Sequence, residues 1–128
     1  MNKKTIEVVA AVIENDGKYF IAKRPNKGEL ALKWEFPGGK VEVNESRENA
    51  LIREIKEEFK SEIKIRRFIQ TVEHEYQSFY IILHCYLCEL VDGEMELLEH
   101  IDKRWVHSNE LENYDLAKAD TLLLPIKN

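Results

Sequence analysis

The stretch Gly39-KVEVNESRENALIREIKEEFK-Ser61 sets Glu54, Glu57 and Glu58 at i, i+3 and i+4. Ala50, Leu51, Ile55 and Phe59 recur at helical spacing behind Ser46, a residue suited to an N-cap, so an amphipathic helix is predicted here. The three carboxylates then share one face beside the apolar stripe. Like charges that close repel one another, and a multivalent cation among them is a physical reason to collect them. The competing reading is a solvated face with pairs such as Arg53 to Glu57.

Upstream of the helix lies Trp34-EFPGGK, whose paired glycines are expected to let backbone approach a ligand closely. Before it, Thr5 to Glu14 reads as a buried strand, Asn15-Asp16-Gly17 as a turn and Lys18 to Arg24 as the hairpin partner; Pro25 to Lys33 is a loop. Downstream, Glu62 to Val72 and Tyr76 to Val91 read as strands, the second long enough to hold a bulge, followed by a turn at Asp92-Gly93. A short strand around Met95 to Leu98, a loop from Glu99 to Lys103 and a strand Arg104 to Val106 come next. Ser108 is expected to cap a short helix through Tyr114, and Ala117 to Leu124 a last helical segment stopped at Pro125. This order predicts an α/β protein, a sandwich around a mixed sheet.

The bulk properties bound the function. At 128 residues the chain suits one domain, 1–128, with a real core. No segment approaches the roughly 18 apolar residues of a membrane span, and Val8 to Ile13 is too short for a secretory signal, so no membrane partner and a cytoplasmic setting are expected. The net charge of −5 argues against a nucleic-acid polymer as partner, because phosphate backbone needs a continuous basic footprint. Cys85 and Cys88 form a C-x-x-C string inside an apolar strand, where residues three apart face opposite sides, so they read as small buried hydrophobes. His74, His84, His100 and His107 show no paired metal spacing and read as structural or surface residues.

The order G-x5-E-x7-R-E-U-x-E-E, with U aliphatic, is met at Gly39, Glu45, Arg53, Glu54, Ile55, Glu57 and Glu58. On these residues the chain resembles the Nudix hydrolases, and its flanking segments resemble the MutT-like branch. The resemblance implies an α/β/α sandwich and a Mg2+-dependent pyrophosphohydrolase, with Mn2+ as a substitute, that cleaves a nucleoside triphosphate to monophosphate and pyrophosphate. It makes Glu54, Glu57 and Glu58 metal ligands with the Gly38 carbonyl, gives Arg53 the task of orienting them, and makes Glu45 a supporting residue. Glu99 stands where the branch carries a further glutamate, a metal ligand or the base that takes the proton of water, a role that Glu54 shares as candidate.

The resemblance also places substrate contacts at Lys23, Glu35, Phe36, Phe79 and Asp120. Lys23 is the expected phosphate contact and Arg24 a surface charge. Asp120 stands where the enzymes acting on 8-oxo-dGTP carry asparagine, and Phe79 where they carry arginine. An ionised carboxylate only accepts hydrogen bonds, so Asp120 suits an exocyclic amine, and Phe79 a stacking role. This favours cytidine nucleotides, with oxidised purines as the other candidates, in a nucleotide house-cleaning role by a monomer or homodimer. A hydrolase of nucleoside diphosphates linked to a sugar, and a catalytically silent nucleotide-binding module, are the alternatives. The pattern departs at Lys60 and Ser61, where the family has glycine and an aliphatic residue; a left-handed Lys60 costs about 1 kcal/mol.

Overall fold

The computed structural model describes residues 3–126. Strand β1 (Lys4–Asn15) is its axis, and successive side chains point to opposite faces: Val9, Ala11 and Ile13 enter one core, Ala10 and Val12 the other. It pairs in parallel with β6 (Phe79–Asp92), from Lys4 opposite Phe79 to Ile13 opposite Cys88, and antiparallel with the short β4 (Gly38–Lys40). Its last residues turn through Asp16 and Gly17, both at positive φ, into β2 (Lys18–Lys23). Strand β2 carries β3 (Trp34–Glu35) and β7 (Asp102–His107) on its edges, and β5 (Glu62–Glu75) pairs with β6.

Helix α1 (Arg47–Phe59) covers the first face with Ala50, Leu51, Ile55 and Phe59, against Phe20, Ala22, Tyr86 and Met95. On the second face Leu111 of the 3-10 helix Ser108–Asn113, then Leu116, Ala119 of α2 (Lys118–Thr121) and Leu123, pack on Tyr19, Ile21, Trp34 and Phe36. The α/β/α layering around a mixed sheet is therefore as the sequence predicts. So is the separation of the cysteines: Cys85 belongs to the second core and Cys88 to the first, and burial pushes both thiols up, that of Cys88 to about 12.

Several elements differ from expectation. Gly38–Lys40 is a strand, held by β1; a Cβ on Gly38 would lie 1.8 Å from the Val9 carbonyl oxygen, so only glycine permits this approach. Strand β6 holds the expected bulge, at Val91, where the register breaks between Glu62 and Ile63, and β5 carries two more, between Ile65 and Arg67 and between Phe68 and Gln70. Strand β6 starts at Phe79 because the Glu29 carboxylate accepts the Gln77 and Ser78 N–H groups at 2.8 and 2.9 Å, closing the turn before it. Residues 95–98 form no strand. Met95 has φ of 53°, its N–H goes to Ser61 Oγ, and the Lys103 ammonium takes the Glu94 and Met95 carbonyls. The 3-10 helix is capped by His107 rather than Ser108, and α2 is a single turn.

The end of α1 resolves the departure at Lys60 and Ser61. Lys60 is left-handed at φ 49°, and Ile63 takes the aliphatic place in the core. Ser61 is buried, donating to the Phe59 carbonyl and accepting from Met95 N–H at 2.8 Å. Lys60→Gly is expected to raise the unfolding free energy by about 1 kcal/mol, and Ser61→Ala to lower it by about 1–3 kcal/mol by orphaning a buried N–H. Urea unfolding followed by tryptophan fluorescence checks both.

Candidate active site

Ser46 accepts the Asn49 N–H at 3.1 Å and starts α1 in the register that turns Arg53, Glu54, Glu57 and Glu58 toward β4. Arg53 is the organising group. Its Nε and Nη2 bind the two oxygens of Glu45 at 2.7 and 2.9 Å, its Nη1 reaches Glu54 at 2.8 Å and Glu57 at 3.2 Å, and Nη2 also donates to the Lys40 carbonyl. Glu42 adds an ion pair at 3.2 Å. These partners raise the guanidinium above its ordinary range, and its bonds hold the Glu45 carboxyl below the usual one.

The same approach explains Gly39. A Cβ there would meet the Glu54 carboxylate at 2.3 Å, so the glycine pair serves β1 through Gly38 and the Glu54 side chain through Gly39. Glu54 is 13% exposed and Glu57 59%, so the set runs from a sheltered oxygen to an open one. Glu58 lies deepest in the charge. Burial, a hydrogen bond with Glu54 and the negative charges of Glu54, Glu99 and Glu35 push its carboxyl up to about 10. Glu99, exposed on the loop before β7, is thus electrostatically joined to the helix cluster.

Among the described residues no three of these groups converge as a closed metal cage. Glu54 and Glu57 are turned onto Arg53, and Glu58 onto Glu54. The donor set nonetheless fits a hard divalent cation, because it is all oxygen and gathers several carboxylates within reach of one another's charge.

Of the expected substrate contacts, Glu35 lies within reach of this cluster. Glu35 is clamped by Arg24 Nη1 on one oxygen at 3.2 Å and His100 Nε2 on the other at 2.8 Å. Its charge acts on both Glu58 and Asp120. Arg24 is therefore no free surface charge: it joins the carboxylate cluster, while the Lys23 ammonium lies 6.0 Å over the Trp34 ring. Strand alternation explains this, since Arg24 continues the side of Phe20 and Ala22 that faces α1, and Lys23 that of Tyr19 and Ile21.

Phe36 is 3% exposed, so its ring supports the cleft from within the core while its N–H donates to Asp120 Oδ2 at 2.9 Å. Asp120 is 7% exposed; burial first, then the Glu35 charge, push its carboxyl up to about 8. Both causes favour the neutral carboxyl, a form that can donate as well as accept. Phe79 is half-buried and tilted on Tyr76 at 4.9 Å, whose hydroxyl accepts the Ala119 N–H beside Asp120. Arg24, His100 and Tyr76 were not among the expected site residues. Alternation along β2 was the available signal for Arg24, and adjacency to Glu99 for His100; Tyr76 had none, because its reach depends on a turn at Gln77 and Ser78.

Comparison with known proteins follows the same lines. The NUDIX domain profile matches residues 8–125. The chain is 40% identical over 121 residues to the CTP pyrophosphohydrolase of Escherichia coli K12, covering 94% of this chain and 90% of that protein. It is 40% identical over 100 residues to the 8-oxo-dGTP diphosphatase of Proteus vulgaris, covering 77% and 88%. The crystal structure of the MutT NUDIX hydrolase from Burkholderia pseudomallei superposes with a TM-score of 0.85 at 26% identity, covering 94% and 95%. The helix glutamates, their arginine and the glycine pair thus sit in a fold and sequence shared across whole chains, and the protein belongs to the Nudix hydrolases, enzymes acting on phosphoric anhydride bonds with divalent metal ions.

Proposed function

We propose that this chain is a Mg2+-dependent nucleoside triphosphate pyrophosphohydrolase, with Mn2+ able to substitute, that releases a nucleoside monophosphate and pyrophosphate from cytidine-type or oxidised purine nucleotides. The observation that carries the reading is the oxygen-only cluster of Glu54, Glu57, Glu58 and Glu99 around Arg53 and β4. Those four carboxylates and the Gly38 carbonyl are the groups that would hold the cation. When bound, it neutralises polyphosphate charge and makes a coordinated water more acidic.

The chain's own groups do the rest. Arg53 fixes Glu54 and Glu57 through charge-assisted bonds, and Glu45 holds Arg53 in turn. Glu99 accepts the proton of the attacking water, because one Glu54 oxygen is committed to Arg53 while Glu99 is exposed on its loop. Lys23 attracts the phosphates, Arg24 holds Glu35, and Glu35, Phe36 and Asp120 border the base, with Phe79 as its stacking surface. A single domain working on free nucleotides, as monomer or homodimer in the cytoplasm, suits a house-cleaning role, and no helix among the described residues is long and apolar enough to cross a membrane.

A panel of ordinary and oxidised triphosphates with Mg2+ tests the reading by product analysis. Monophosphate plus pyrophosphate is expected, abolished by EDTA and restored by Mg2+. Glu57→Gln should lower kcat/KM about 100-fold or more, and undiminished turnover in that variant would remove this assignment of the cluster.

Asp120 gives a second test. Its folded carboxyl titrates near 8 and its unfolded one near 3.8, so folding favours the protonated form and stability falls as pH rises between these values. Asp120→Asn keeps the acceptor for Phe36 N–H and removes the charge. Its stability advantage over wild type should grow from pH 4 to pH 8, by at most about 1.4 kcal/mol per unit, and level off above. Urea unfolding at several pH values measures this; a difference that is flat with pH would sink it.

A further inference from the structure

His100 is a buried imidazole to which the pyrophosphohydrolase reading gives no task. It is 9% exposed and joins three parts of the candidate site. Its ring stacks on Phe59, the last residue of α1 and neighbour of Glu58, at 5.0 Å and 23°. Its Nε2 meets Glu35 Oε2 at 2.8 Å. In sequence it directly follows Glu99. Its Nδ1 is buried without a partner, so the proton belongs on Nε2, where Glu35 accepts it; a proton on Nδ1 would be an orphaned donor.

The segment around it is pinned at both ends. Glu96 N–H donates to the Phe59 carbonyl and Ile101 N–H to the Lys23 carbonyl, both at 2.9 Å. Between these bonds Glu99 has no backbone anchor of its own, and His100 is the side chain that ties its loop to α1 and β3. Glu35, held on its second oxygen by Arg24, lies where its charge reaches both Glu58 and Asp120.

We propose that His100 is a positioning residue: its Nε2–H fixes the Glu35 carboxylate between the glutamate cluster and the Asp120 pocket, while its stacking on Phe59 sets the Glu99 loop. The role rests on the pyrophosphohydrolase reading. Misplacing Glu99 by about 1 Å disturbs alignment of the reacting groups, while Glu35 keeps its Arg24 bond beside the base, so the loss falls on kcat rather than KM.

His100→Phe keeps a ring on Phe59 and removes the donor; His100→Gln returns an N–H donor toward Glu35. With Mg2+ and the best triphosphate, His100→Phe should lower kcat about 10-fold with KM within about 3-fold, and His100→Gln should recover most of it. Combined with Glu35→Leu, the second change should add little to the first, since each removes one end of the same bond. Wild-type kcat in His100→Phe, or losses that multiply as independent effects, would overturn the role. Proton-nitrogen NMR of the imidazole reads the bond without turnover: the Nε2–H signal should be present and should move in Glu35→Gln, and an unmoved signal also overturns it. A wild-type protein that turns over no triphosphate removes the substrate reading instead, and leaves the NMR result to decide the contact.

Discussion

The fork of Arg53 is the interaction on which this site depends. A guanidinium offers five N–H donors in a fixed plane, and here they go to both oxygens of Glu45, to Glu54, to Glu57 and to the Lys40 carbonyl. The bonds join three pieces of chain: the loop before α1, the helix itself and strand β4. Glu45 and Glu54 are mostly sheltered, at 17% and 13% exposure, so their negative charges rely on this one cation. A lysine would supply the charge as a point and could not hold two carboxylates and a carbonyl in one plane. The carboxylate face is thus fixed by contacts within the chain.

Strand β1 divides the remaining work. Its alternating side chains feed two cores, one roofed by α1 and the other by the 3-10 helix and α2. The carboxylate cluster belongs to the α1 side, and Phe36 and Asp120 to the other. Glu35, at the end of β3, is felt by Glu58 on one side and Asp120 on the other.

How much of this was legible in the sequence follows the range of the interactions. Helix α1 was readable because its cap, stripe and acidic face are all set by neighbours within a few positions. The Asp-Gly hairpin was readable for the same reason. Strand β4 was not, because three residues pair only through a glycine that lets β1 come close. The bulges of β5 and the pinned loop at Met95 likewise depend on distant partners, Ser61 and Lys103 among them. Within the site, the box residues were legible as a pattern. The orientation of Arg24 against Lys23 turned on which face β2 presents at its last residue, and the burial of His100 on a ring at the far end of α1. Asp120 was found by position, but its protonation could not be, because it comes from burial and from Glu35, 85 residues away in sequence order.

That burial ties recognition to stability. Asp120 anchors α2 to the chain after β3 by accepting the Phe36 N–H, and so it cannot be tuned for a base edge alone. An unprotonated carboxylate at this depth costs folding energy, whereas a neutral carboxyl or amide does not. A replacement at this position therefore has to keep the acceptor and stay neutral, and a charged one would weaken the second core. The helix face has a tie of its own, because Arg53 joins Glu54 and Glu57 to Glu45 and the Lys40 carbonyl, while Glu99 is exposed on its loop.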